Sequence, residues 1–246
     1  MLLFSKPWPI WEKNWAVRSE KKILFSRMLF LFLIFLLIPY IGINQISQFR
    51  NYSLFDPSLS IDSWMPFVPW MILIYFSLYL YYPLSAWYGI GDDRRVREMF
   101  VFHQGMFTVS ACIYLIFLVA PVEVHLREQI TQQELQGTGL LSTFYSMLHL
   151  GDAPYNAWPS LHVVQSFLIL KVLERWNVWS HKIQILAWFA WFLMMISIMT
   201  TKQHFFFDLI TGLLTAIYSW LYWIKPSLES CHDNLWSEKL QSSRDD

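Results

Sequence analysis

Residues 24–43 read LFSRMLFLFLIFLLIPYIGI, a stretch dominated by Leu, Ile and Phe in which Arg27 is the one charged residue. A helix crosses the hydrocarbon core of a bilayer with about 20 mostly apolar residues. We therefore predict that this stretch spans a membrane. It is longer than the apolar region of a cleavable signal peptide, about 7–15 residues, so we expect it to remain in the protein.

Five further apolar stretches follow along the chain, at residues 66–90, 99–121, 160–173, 183–200 and 204–224. The predicted fold is all-α, a polytopic bundle of six transmembrane helices over residues 24–225. We expect a cytoplasmic amphipathic segment at residues 1–23 and a cytoplasmic tail at residues 226–246. Pro83 predicts a kink in the second span. The fourth span is the shortest, and a buried core helix is the alternative interpretation of it.

The composition excludes several classes of protein. Only 15% of the residues are charged, against about 25% in soluble domains, and 19% are aromatic. Disordered chains have few aromatic and many charged residues, so this composition excludes a disordered protein. The formal net charge is zero, so we expect no nucleic-acid partner. Two cysteines are too few for a disulfide framework. The expected partner is the lipid bilayer, and no oligomeric state is predicted.

The basic residues predict the orientation in the membrane. With the amino terminus in the cytoplasm, 15 of the 18 Lys and Arg residues fall in cytoplasmic segments. The three on the other side are Arg50, Arg127 and Lys202. Both termini are therefore expected in the cytoplasm. The long loop at residues 122–157 is expected on the periplasmic, extracellular or lumenal side.

The first polar motif opens the fourth span, where residues 156–162 read NAWPSLH. Pro159 and Ser160 are typical of a helix start, which leaves free backbone N–H groups and the positive end of the helix dipole at the outer face. Such an end is suited to binding an anion. His162 would lie within the first turn, beside that anion. An ordinary helix start with an incidental histidine is the alternative.

The second polar motif opens the sixth span, where residues 200–208 read TTKQHFFFD. His204 and Asp208 are four residues apart and would share one face of a helix. A carboxylate bound to one imidazole nitrogen fixes the tautomer and leaves the other nitrogen as a nucleophile or base. A buried polar pair that links two helices is the alternative.

Together the two motifs predict a site for phosphate at the outer membrane face. Lys202 lies beside the second motif, and Arg127 lies on the loop that leads to this region. Phosphate suits cations, a helix N-terminus and two histidines together. One histidine could attack phosphorus while the other protonates the leaving oxygen.

Pro159-Ser160-x-His162, followed by Ser197 and by His204-x-x-x-Asp208, resembles the type-2 phosphatidic acid phosphatase superfamily. The resemblance implies a six-span lipid phosphatase in which His204 forms a phosphohistidine, Asp208 orients it and His162 protonates the leaving alcohol. It also implies that Ser160 holds phosphate oxygens, with Arg127 as the remnant of the family's first motif. Lys202 would replace cations that the family usually carries. No metal and no cofactor are expected, and the substrate would be a membrane lipid phosphate or diphosphate.

Three alternatives remain open from the sequence. Leu161 stands where the family commonly has glycine, and this form is closer to an inositolphosphotransferase-like branch that passes the phospho-headgroup to an alcohol. A metal-dependent hydrolase could use His162, His204 and Asp208 with His125 or His149. A transporter or structural membrane protein could use the His–Asp pair as a polar contact or a proton relay.

Overall fold

The computed structural model describes residues 7–131, 135, 137 and 139–231, and this part of the chain is helical with no β-strand. The predictions for residues 1–6 and 232–246 lie outside the described residues. The helices are α1 Pro9–Ala16, α2 Lys21–Arg50, α3 Ser60–Trp64, α4 Met71–Phe76, α5 Leu78–Gly89, α6 Asp93–Val119, α7 Leu140–Gly151, α8 Leu161–Arg175, α9 His181–Thr200 and α10 Phe206–Ser230.

Four of these helices are long and apolar enough to cross a membrane, namely α2, α6, α9 and α10. Their outward faces carry large apolar side chains, such as Phe30, Leu186 and Leu214, each at least 60% exposed. Contiguous apolar surface of this kind is rare on soluble monomers and is typical of surfaces that contact lipid. The all-α prediction is confirmed, and the apolar helices indicate a membrane protein.

The predicted spans at residues 66–90 and 160–173 do not form single long helices of this kind. Residues 66–90 contain two helices, α4 and α5, with the interruption at Ser77, while Pro83 lies inside α5. Helix α8 has 15 residues and so is about 22 Å long, shorter than the roughly 30 Å hydrocarbon core. Most of its side chains are buried, and it packs against α5, α6, α9 and α10. This position fits the alternative of a buried core helix, and the count of six spans stays a prediction.

The described part of the amino-terminal segment folds into the bundle. Trp11 in α1 is fully buried and its indole N–H donates to Oε1 of Gln104 in α6 at 2.8 Å. The backbone N–H of Trp8 donates to the same oxygen at 3.0 Å. The aromatic residues of this segment, which are typical of a membrane interface, here pack against α6.

The loop between α6 and α7 returns to the same end of the bundle. Val122 and Val124 donate backbone hydrogen bonds to the carbonyls of Tyr155 and Pro154, and a short 3-10 helix spans His125–Gln129. The loop is thereby fixed directly beside the segment that leads into α8.

Candidate active site

The two polar motifs of the sequence meet in the structure. Nδ1 of His162 lies 3.0 Å from Nε2 of His204, a hydrogen-bonding distance between residues 42 positions apart. His204 is 3% exposed, whereas His162 is partly exposed. The histidine that the first motif contributes is therefore the more accessible member of the pair.

The contact between the histidines follows from how two helices begin. Helix α8 starts directly after Ser160, and the backbone N–H of Ser160 donates to the carbonyl oxygen of Asp208 in the first turn of α10, at 3.2 Å. Gly212, one turn further along α10, permits this approach. A Cβ atom there would lie 2.9 Å from the carbonyl oxygen of Ser160, closer than such contacts allow.

Asp208 lies beside His204 for a reason other than the predicted one. His204 precedes α10, so the two residues do not share a helix face. Asp208 instead caps the helix, because its Oδ2 accepts from the backbone N–H of Phe205 at 2.9 Å. The same oxygen lies 3.4 Å from Nδ1 of His204, although the angle does not form a hydrogen bond. Such contacts are often long before substrate binds.

Tyr75 is a member of this cluster that sequence reasoning missed. Its hydroxyl lies 3.1 Å from Nε2 of His162, and its side chain is 1% exposed. Tyr75 belongs to α4, within an apolar stretch that carries no motif. The tyrosine, the two histidines and the aspartate thus form a continuous chain of polar contacts.

One protonation pattern satisfies every contact in the chain. Asp208 favours a proton on Nδ1 of His204, which leaves Nε2 of that ring as an acceptor. Nδ1 of His162 then carries the proton that it shares with His204. Nε2 of His162 is consequently an acceptor for the Tyr75 hydroxyl. In this pattern the protonated nitrogen of His162 faces the unprotonated nitrogen of His204.

Ser160 occupies the N-cap position of α8 without capping it. Its side chain is fully buried, and its Oγ has no hydrogen-bond partner among the described residues. The first backbone N–H groups of a helix have no partner within the helix. A hydroxyl and a helix N-terminus are therefore available together beside His162, as an anion requires.

Arg127, in the short 3-10 helix after α6, pairs with Asp152, which directly follows α7. Its Nη1 donates to the backbone carbonyl of Asp152 at 2.7 Å, and Nη2 lies 3.8 Å from the carboxylate. Its Nε is buried and has no hydrogen-bond partner among the described residues. Burial raises the pKa of Asp152, and the charges of Arg127 and His204 act in the opposite direction. Asp152 and Arg127 therefore lie within electrostatic reach of the histidine pair.

Lys202 is placed differently from the expectation that it binds phosphate. It is 3% exposed, and its ammonium donates to the carbonyl oxygens of Asp62 and Met65 and to Oε1 of Gln129, at 3.0, 2.6 and 2.8 Å. An ammonium has three hydrogens, and all three are used by these acceptors. Burial lowers the pKa of Lys202, and the charge of Asp62 raises it. In this structure the cation joins the turn that precedes α10 to the end of α3 and to the short 3-10 helix.

Asp62 strengthens the same junction. Its Oδ1 accepts from the backbone N–H of Phe206, the first residue of α10, at 2.7 Å. Its Oδ2 accepts from the backbone N–H of Leu59 at 2.7 Å. Helix α3 is thereby fixed to the turn that carries His204, a link that the sequence alone did not indicate.

His125 and His149 make their contacts with residues other than the histidine pair. The ring of His125 packs on that of Phe205, with the ring centroids 5.2 Å apart. His149 lies 3.5 Å from the Gln203 amide, and burial, with a smaller effect of Arg127, lowers its pKa to about 4. Among the described residues, no three His, Cys, Asp or Glu side chains are grouped as metal ligands.

A cavity of about 740 Å³ reaches His162 from within the bundle. Its walls come from α2, α4 to α8, and the end of α7 contributes Asp152 beside His162. The remaining lining is mostly Leu, Ile, Phe and Tyr side chains. One of the two histidines therefore faces a large apolar space.

An all-α chain with apolar outer helices and a paired-histidine cluster at two helix starts defines a membrane protein with a histidine-based polar site. The chain belongs to the PAP2 superfamily, whose family model matches residues 44–222. This match confirms the resemblance to the type-2 phosphatidic acid phosphatases. Comparisons with curated proteins and with solved structures returned no match. Family membership supports a phosphatase-type phosphoesterase.

Proposed function

We propose that the protein is an integral-membrane lipid phosphate phosphatase that works through a phosphohistidine without a metal. The observation that carries the proposal is the 3.0 Å contact between His162 and His204, with Asp208 beside the far nitrogen of His204. This arrangement supplies a nucleophile, an acid and an orienting carboxylate in one place.

The first step would transfer the phosphoryl group to His204. His162 enters this step as an imidazolium, its second proton coming from the bound phosphate monoanion. Nε2 of His204 attacks phosphorus, the bond from phosphorus to the leaving oxygen breaks, and Nδ1 of His162 gives its proton to that oxygen, which leaves His162 neutral with a proton on Nε2. The lipid alcohol leaves. Asp208 would stabilise the positive charge that develops on the His204 ring.

The second step would release phosphate. Water attacks the phosphohistidine, His162 takes the proton from that water through Nδ1, and the bond from phosphorus to Nε2 breaks. Both histidines then return to their starting protonation states. The hydrogen bond between them has to open in each cycle to admit the phosphoryl group.

Phosphate oxygens would be held by Ser160 and the start of α8, with Arg127 as the cation. The unpaired Oγ of Ser160 and the unpaired Nε of Arg127 support these roles. We propose a positioning role for Lys202, in place of direct phosphate binding, because its ammonium already donates three hydrogen bonds. The basic-residue distribution supports a site on the periplasmic, extracellular or lumenal side, with both termini cytoplasmic.

The alternative function uses the same first step and a different acceptor. An alcohol such as inositol would replace water, and the product would be the phosphate ester of that alcohol. Asp152 supports this alternative, since it lines the same cavity as His162 and its carboxylate could bind an acceptor hydroxyl. A transporter or structural protein would form no phosphoenzyme.

The test is to trap the phosphoenzyme. The full-length chain, purified in detergent, is mixed with radiolabelled phosphatidic acid and quenched under alkaline conditions that preserve phosphohistidine. We expect label on the wild type, none on His204→Ala, and normal labelling of His125→Ala, the control that removes an imidazole outside the pair. A chase with water, with or without inositol, identifies the acceptor. Label that persists in His204→Ala would contradict the proposal.

A further inference from the structure

The apolar cavity beside His162 has the depth of one bilayer leaflet. Along α2 its lining extends from Leu29 to Ile41. Twelve residue steps of about 1.5 Å give roughly 18 Å along the helix axis. Half of a hydrocarbon core of about 30 Å is close to this length.

One end of the cavity is polar, and the remainder is not. His162, Asp152 and Tyr40 line the end that meets the candidate active site. Tyr40 donates its hydroxyl hydrogen to Oδ1 of Asp152 at 2.6 Å, so this end is built as a hydrogen-bonded unit.

Polar groups deeper in the wall are paired with each other. The hydroxyl of Tyr82 donates to Oε1 of Gln165 at 2.7 Å, and the amide of Gln165 donates to Ser110 at 2.9 Å. Tyr114 donates to the carbonyl oxygen of Leu36 at 2.8 Å. With these groups satisfied inside the protein, the deeper cavity is suited to a hydrocarbon chain and not to a polar ligand.

The cavity opens sideways, toward the surface that would face lipid. Leu33 and Leu37 line it from α2 and are 47% and 44% exposed, and Met147 lines it from α7 and is 64% exposed. A hydrocarbon chain could therefore move from the bilayer into the cavity without passing through water.

We propose that this cavity binds the hydrocarbon chain of the substrate and that its depth selects the chain length. The occupant is a lipid phosphate that lies in one leaflet, with its phosphate at His162 and its chain along α2. The inference deepens the proposed function, but binding of the chain can be measured separately from turnover.

The probe is a hexadecyl monophosphate that carries a diazirine close to its terminal methyl group. The full-length chain in phosphatidylcholine vesicles is irradiated with this probe, and the labelled residues are mapped by mass spectrometry. We expect label near Leu29 and Phe32, at the end of the cavity away from His162. Unlabelled hexadecyl monophosphate should compete for labelling, and octyl monophosphate should compete weakly.

Leu36→Trp fills the cavity near the middle of its length. It should lower deep labelling about tenfold, equivalent to about 1.4 kcal/mol of binding. It should also lower the ratio of hexadecyl to octyl monophosphate turnover by a similar factor. Leu33→Trp, at a half-exposed lining position, is the second variant if the first fails to fold. Ile38→Trp is the matched control, since Ile38 lies on α2, is 62% exposed and does not line the cavity.

The outcomes separate the two proposals. Two results would refute the binding site for the hydrocarbon chain, whatever the activity. One is label that is spread equally over Phe30 and Ile38, and the other is deep labelling that is unchanged in both lining variants. The protein could also show deep labelling that responds to Leu36→Trp and yet release no phosphate from any alkyl phosphate. That result would support the binding site for the hydrocarbon chain and refute the proposed phosphatase function.

Discussion

Replacing Tyr75 with phenylalanine tests whether the Tyr75 hydroxyl, which belongs to neither sequence motif, determines which ring nitrogen of neutral His162 carries the proton. The hydroxyl is the polar partner of Nε2 of His162, at 3.1 Å, in a buried setting. After the first step a neutral His162 keeps its proton on Nε2, and without the Tyr75 hydroxyl this proton is free to move to Nδ1. Nδ1 could then not take the proton of the attacking water, as the proposed mechanism requires.

The size of the effect follows from that single hydrogen bond. A hydrogen bond of this kind contributes about 0.5–1.5 kcal/mol net, and each 1.4 kcal/mol of activation free energy is a factor of ten in rate. We therefore expect kcat for phosphate release to fall about two- to tenfold. KM should change little, because Tyr75 acts through His162 and the proposed phosphate ligands are unchanged.

The matched control is Tyr145→Phe. Tyr145 is also 1% exposed, and its hydroxyl donates one hydrogen bond of 3.2 Å, to the carbonyl oxygen of Pro69. Steady-state phosphate release is measured for both variants, with size-exclusion chromatography to confirm folding. Equal losses of kcat in the two variants, or a rise in KM alone for Tyr75→Phe, would refute the role given to Tyr75.

Four further predictions can be tested, three for single residues and one for metal removal. Lys202→Ala should lower the midpoint of thermal inactivation, with a loss of about 2–3 kcal/mol, because it leaves three acceptors without their charged donor; a change confined to KM would restore a direct role in phosphate binding. Gly212→Ala should cost about 1–3 kcal/mol and reduce activity by separating α10 from Ser160. Gly42→Ala, where nothing lies within 4 Å of the added Cβ, should stabilise the protein slightly. Phosphate release should survive exhaustive EDTA treatment, and a loss that Mg²⁺ or Zn²⁺ restores would contradict the metal-independent mechanism.

The sequence predicted those features that depend on local pattern. An apolar stretch such as residues 24–43 has to be buried in lipid or protein whatever the tertiary structure, so α2 could be predicted from composition alone. His204 and Asp208 are close in sequence, and a short separation keeps them close in space even though the predicted helical geometry was wrong. Whether residues 160–173 span the membrane could not be predicted from the sequence, because a buried core helix and a short membrane span have the same apolar pattern.

The features that escaped prediction depend on contacts between distant segments. Tyr75 lies in an apolar stretch where a tyrosine has no local signal of function, and its role comes from the contact of its hydroxyl with His162, 87 residues further along the chain. Lys202 shows the opposite case. Its position beside His204 suggested a phosphate ligand, but the direction of a long side chain is set by the acceptors within reach, and here Asp62, Met65 and Gln129 are those acceptors.

The contact between the two histidines also constrains the order of events in the proposed reaction. Nε2 of His204 cannot accept a hydrogen bond from His162 and attack phosphorus at the same time. His162 is partly exposed and lines the cavity, whereas His204 is buried, so a phosphate that arrives with its chain in the cavity meets His162 first. Separation of the rings then delivers the acid and exposes the nucleophile in one movement. Tyr75, which contacts the nitrogen of His162 that faces away from His204, can hold the tautomer during that movement.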